Sequence, residues 1–169
     1  MPELCQVAGA VILWFVAAAV LAVRFVFRDP RFDYRLLVVG VLLPDAVDVW
    51  FGGARFLHTL VVSVAVMGVI MLATKRGGDA RRRVLPLAIG MFLHLVFDGA
   101  FANTRVFWWP FGGTSFGGAR LPVAERGVVN VVLEAAGAAA LWWIIRRHGL
   151  ADAERRARFF SEGELTESD

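Results

Sequence analysis

The sequence predicts an all-α integral membrane protein: a bundle of about five transmembrane helices, the second of them short or broken. Three observations predict it. Hydrophobic residues make up 58% of 169 residues, and the mean hydropathy is +0.62, more apolar material than a soluble domain of this size needs. The apolar residues gather into five runs, and the basic residues fall in short groups between them. The chain therefore reads as a transmembrane domain over residues 1–149, followed by a cytoplasmic amphipathic and disordered tail over 150–169.

The first run, Val7 to Phe27, is long enough for a full crossing of roughly 20 residues. The preceding MPELCQ has no Lys or Arg, so the run is expected to be a retained span rather than a cleaved signal. Cys5 is the single cysteine, which excludes a disulfide or a cysteine-based metal site within one chain. The second run, Leu36 to Phe51, is interrupted by Pro44, Asp45 and Asp48, and is expected to be short, tilted or partly re-entrant. The third, fourth and fifth are Phe56 to Thr74, Val84 to Phe101 and Gly127 to Ile145.

The basic residues orient this bundle. With the N-terminus outside, fourteen of the 18 Lys and Arg fall in inner segments and four, Arg55, Arg105, Arg120 and Arg126, in outer ones. The positive-inside rule then predicts N-outside and C-cytoplasmic in the plasma (inner) membrane. The pI near 10.0 reflects this placement, so membrane lipid is the expected partner and nucleic acid is not. In the tail, ADAERRARFF is expected to lie as a basic amphipathic helix on the inner surface, and SEGELTESD to be disordered.

Six polar groups interrupt the apolar runs: Asp45, Asp48, His58, His94, Asp98 and Glu134. A charge near mid-membrane costs about 2.5–3.5 kcal/mol on insertion scales, so pairing, water or a metal must offset it. Asp45 and Asp48 are three apart, and His94 and Asp98 four apart, so each pair shares a helix face. In the topology set by the arginines, Asp45, Asp48, His58, His94 and Asp98 come to one depth near the outer face. Two imidazoles and three carboxylates suit a divalent metal, Zn, Mn or Mg, and these five residues are the candidate ligands and catalytic groups. Glu134, about two turns into the fifth span, stays outside the set, as a supporting partner, a proton acceptor or an ordinarily paired group.

Arg55 and Arg105 are candidates to orient an anionic group. In NTRVFWWPFGG, Trp108 and Trp109 stand where an aromatic belt forms, or the Trp109-Pro110-Phe111 segment folds back as a lid on its flanking glycines, with Trp109 against the substrate.

GVLLPDAVD (Gly40 to Asp48), RFLHT (Arg55 to Thr59), and HLVFD with WWPFGG after it (His94 to Asp98, Trp108 to Gly113), in this order, resemble the membrane-bound metal-dependent hydrolases, an inner-membrane family typified by a LexA-regulated bacterial protein. The resemblance covers Gly40 to Gly113; the first and fifth spans fit by hydropathy alone. Thr59 stands where that family usually has serine, and Leu93 where it often does, and neither change removes a candidate ligand. The resemblance implies metal-dependent hydrolysis at Asp45, Asp48, His58, His94 and Asp98 and leaves the substrate open. The alternatives are a transport protein that passes metal or protons along its His and Asp, and a structural protein whose polar groups lock helices together, with the small residues around Gly137 as a packing face.

Overall fold

The computed structural model describes residues 11–27, 32–48, 50, 56–102, 104–115 and 126–165. Among these residues the secondary structure is helical, without strands. Five helices fall on the five apolar runs: α1 (Ile12–Phe27), α2 (Tyr34–Asp48), α3 (Leu60–Ala73), α4 (Asp79–Asp98) and α5 (Val128–Arg147). A sixth, α6 (Ala153–Glu162), falls on the basic tail. α2 packs most extensively on α4 and α1 on α5, with α3 against the other side of α4.

Glycine fixes the two closest crossings. A Cβ on Gly90 of α4 would lie 2.7 Å from the Val41 nitrogen of α2, and one on Gly40 would lie 2.9 Å from Leu87 Cα. A Cβ on Gly137 of α5 would lie 2.6 Å from Trp14 Cα in α1. These separations are far inside carbon contact distance, so small residues let the backbones touch. Between the crossings, Phe15, Ala19, Val20 and Val23 of α1 meet Leu37 and Val41 of α2, Ile89 of α4 and Ile144 of α5 in one buried core.

The outside is apolar as well. Leu72 is 90% exposed and Val128 79%, and Val64, Val69, Phe25, Val26, Val131 and Trp142 are exposed with them. By length and composition, one described helix, α5, is long and apolar enough to cross a membrane; α1 and α3 are apolar but shorter, with 16 and 14 residues. α4 has 20 residues but opens on Asp-Ala-Arg-Arg-Arg, and α2 holds Pro44, Asp45 and Asp48.

One sequence expectation holds and one needs correction. The second helix is short, as expected, and unbroken: α2 runs through Pro44, which is buried in the bundle. Packing in protein is what makes a proline tolerable inside a helix that water or lipid alone would not hold. The tail is more ordered than its composition suggests. α6 forms as expected, with Asp152 accepting from the Glu154 and Arg155 amides at its start. It then ends on left-handed Gly163, and the chain is held to the start of α2. The Tyr34 amide donates to the Gly163 carbonyl at 2.9 Å, Arg35 Nη1 donates to the Phe160 and Ser161 carbonyls at 2.7 and 2.9 Å, and Leu165 is buried in the core. Residues 166–169 lie outside the described part of the chain.

This clasp depends on Asp33, whose carboxylate holds the Arg35 guanidinium at 2.8 Å and accepts from the Arg35 and Leu36 amides. Burial pushes the Asp33 carboxyl up, but the Arg35 hydrogen bond and charge and the two amides outweigh it, and the group sits below its ordinary value of 3.8. A depressed carboxyl stabilises the fold fully above its unfolded value, and that contribution is lost as pH falls through the folded one. The clasp is therefore expected to hold at neutral pH and to release α6 only as pH falls below the ordinary carboxylate value of 3.8. Limited proteolysis after Arg155, Arg156 or Arg158 checks this: Asp33→Asn should cut readily at neutral pH, where the wild-type chain resists.

Candidate metal centre

Three helices deliver the polar groups to one end of the bundle. Asp45 and Asp48 close the last turn of α2. His58 ends a 3-10 turn, Phe56–His58, that Thr59 fastens to α3. The Thr59 hydroxyl donates to the Phe56 carbonyl at 2.8 Å and accepts from the Val62 amide at 3.2 Å. A serine there would make the same two bonds, so threonine keeps what the position needs. His94 and Asp98 lie on the last turns of α4, which Gly99 closes in the left-handed conformation at φ 71°.

The side chains converge on one point. His94 Nε2 lies 3.3 Å from His58 Nε2 and 3.4 Å from Asp45 Oδ1, and His58 Nε2 lies 3.2 Å from the same Asp45 oxygen. His58 Nδ1 pairs with Asp48 Oδ2 at 2.8 Å. When Nδ1 donates to Asp48, the Nε2 lone pair is left facing the other two donors. With the His94 proton on Nδ1 as well, Asp45, His58 and His94 turn lone pairs toward one point, an arrangement that a cation between them would stabilise. Ligands about 2.0–2.1 Å from a tetrahedral metal stand about 3.3–3.4 Å apart, whereas cis ligands of an octahedron of that size stand about 2.9 Å apart. The three separations, 3.2–3.4 Å, come closer to one face of that tetrahedron than to the octahedral spacing, and among the described residues no fourth such ligand joins them.

Asp48 is placed behind His58, as the carboxylate that fixes a ligating imidazole's tautomer and orientation. Asp98 is 1% exposed and both of its carboxylate oxygens are buried without a hydrogen bond. An unbonded buried carboxylate is costly unless a cation or a proton meets it. Nor does Asp98 bond its neighbour His94, whose Nδ1 also has no hydrogen-bond partner. The two residues are not a private pair. His58 and His94 are almost wholly buried, and the Asp45 side chain is 35% exposed, so the cluster reaches the surface along Asp45.

Arg126 was counted in the sequence only as an outer charge. Its guanidinium donates to the Asp98 carbonyl and, at 3.5 Å, to the Phe97 carbonyl, closing α4 beside the cluster. A cation there is favoured by the helix dipole. No short-range pattern marks this role, because the partners are 28 and 29 residues away. Trp109 packs edge-on against Phe56 at 5.6 Å, so its loop folds back onto the turn that presents His58. Arg105 is exposed in the helical turn Thr104–Phe107. Arg55 lies outside the described residues. Glu134 turns to the first amides of α1 rather than to the cluster.

No protein-family model, no curated protein and no solved structure matches this chain. The likeness of Gly40 to Gly113 to the membrane-bound hydrolases rests on its motifs.

Proposed function

We propose that the chain is an integral membrane hydrolase with one metal centre, and that its substrate is an amphiphile whose phosphate or ester headgroup reaches the site from the outer surface. The observation that carries the reading is the convergence of Asp45, His58 and His94 at tetrahedral ligand spacing, with no fourth His, Cys, Asp or Glu joining them among the described residues and the unbonded Asp98 carboxylate buried nearby. A site that keeps an open position is the arrangement catalytic zinc uses, and two imidazoles with one carboxylate suit zinc better than magnesium.

The bundle's exposed apolar surface on α1, α3 and α5 supports a lipid setting, since patches of that extent are rare on proteins in water. In the five-span, N-outside topology α1 and α3, at 16 and 14 residues, are among the shorter crossings. The cluster then lies at the outer end and the α6 clasp at the inner end.

A metal held by Asp45, His58 and His94 would make water nucleophilic at neutral pH. Asp48 holds the His58 tautomer. Asp98 is the group available to take a proton, and Arg105 and Trp109, with Arg126 at the end of α4, are the candidates to orient an anionic headgroup. Elemental analysis of the purified protein tests the centre: about one divalent metal per chain is expected, and a preparation with none would sink it. A screen of lipid phosphates and esters should then find hydrolysis that a chelator stops. Asp98→Asn should keep the metal and lose on the order of 10²–10⁴ in kcat, the usual worth of a general base.

A proton-handling reading has one observation in its favour: His58 lies between Asp45 and Asp48, as an imidazolium would. Transport needs polar groups continuing inward, and Glu134, the carboxylate the sequence offers for this, is engaged with α1. A metal-free protein that moves protons in liposomes would favour this reading over hydrolysis.

A further inference from the structure

We infer that Glu134 is a positioning residue for His94, acting through the start of α1 and the ring of Phe15. The inference rests on the metal-centre reading above.

The first backbone bond of α1 runs from the Phe15 amide to the Val11 carbonyl, at 3.1 Å. The amides before it have no acceptor within their own helix. An N-cap side chain would normally take one of them, but the Val11 side chain has no acceptor to offer. Glu134 supplies one from another helix. Its carboxylate accepts from the Leu13 amide at 3.1 and 3.2 Å and from the Trp14 amide at 3.4 Å. The negative charge also meets the positive end of the α1 dipole. Three residues on, Gly137 lets α5 touch the α1 backbone at Leu13 and Trp14, so the carboxylate and the crossing fix the same turn.

Phe15 is the next residue. It is 1% exposed, and its ring centroid lies 4.6 Å from that of His94, tilted by 41°. This contact matters because the two histidines are held differently. His58 has Asp48 on its second nitrogen. His94 has no hydrogen bond on Nδ1, so its ring is oriented by packing, with Phe15 against it and the His58 ring edge-on at 5.2 Å. A metal ligand almost always gains its orientation from an outer partner. For His94 that partner is an aromatic ring, and the ring is anchored by Glu134. Loss of the carboxylate lets the first turn of α1 fray, and Phe15 and His94 loosen with it.

The test compares metal affinity with stability in full-length protein in detergent, using Zn²⁺ by chelator competition and the visible absorption of the Co²⁺-loaded site. Glu134→Ala should weaken Zn²⁺ binding about tenfold, the low end of the range for outer-partner loss, and alter the Co²⁺ bands. Glu134→Gln keeps an acceptor on the same stem and should recover most of the affinity. Leu165→Ala, at the far end of the core, should lower the melting temperature and leave Zn²⁺ affinity within about twofold.

Wild-type affinity in Glu134→Ala, or an equal loss in Leu165→Ala, would overturn the assignment. If Glu134→Ala does not fold, Phe15→Leu makes the same comparison and should show the same loss. A wild-type protein that takes up no metal overturns the metal centre instead. In that case the nitrogen resonances of labelled His94 decide the positioning: unchanged in Glu134→Ala, they refute it; shifted, they uphold it.

Discussion

His94→Ala is expected to leave the purified protein with less than about a tenth of the wild-type divalent metal, measured by elemental analysis after one detergent purification. The substitution removes one of the three converging donors and vacates the space that Phe15 packs against. What remains, Asp45 and His58, is a two-donor site, and a variant with two donors should lose more than the 10–100-fold that removal of an outer partner costs. Asp48→Asn gives that smaller loss for comparison, since it weakens the bond to His58 Nδ1 and leaves all three donors in place. The order His94→Ala worse than Asp48→Asn follows from geometry. Equal retention of metal by both variants would mean that the cluster is a hydrogen-bonded lock between helices, and the hydrolase reading would fall with it.

The order of these two variants also shows what the sequence could and could not disclose. That Asp45, His58 and His94 come together was legible, because the apolar runs defined the helices and the arginines assigned their direction. Which atom each residue presents was not. His94 and Asp98, four apart on one helix face, read as two ligands from one helix, yet His94 aims Nε2 across to His58 and Asp45 while both Asp98 oxygens stay unbonded. Rotamers of this kind depend on neighbours from other helices. Glu134 and Arg126 were hidden for the same reason: their partners are 120 or so and 28 residues distant. Pro44 marked the second helix as short and in need of packing, and α2 is a 15-residue helix with Pro44 buried in the bundle. The acidic tail misled because composition does not record that Arg35 and Tyr34 would collect the carbonyls of Phe160, Ser161 and Gly163.

Gly90→Ala carries the second large effect, and it reaches both the fold and the site. Gly90 lies one helical turn before His94, and Val41 one turn before Asp45. The α2–α4 contact at Gly90 and Val41 is therefore the crossing from which the two ligands project. An added Cβ would fall 2.7 Å from the Val41 nitrogen, against backbone that has no rotamer to yield. The helices must part or slide, and overpacking of this kind costs about 1–3 kcal/mol, here toward the upper end. The same movement widens the 3.4 Å separation of His94 from Asp45. Gly90→Ala should thus lower the thermal midpoint and the Zn²⁺ affinity together. Gly68→Ala is the internal control: it also sits inside a helix, a Cβ there meets nothing within 4 Å, and replacing a mid-helix glycine should stabilise by roughly 0.5–1 kcal/mol. Should Gly90→Ala melt early yet bind Zn²⁺ as tightly as wild type, the crossing would serve the bundle alone, and the spacing of the donors would have to be set by the Phe56–His58 turn.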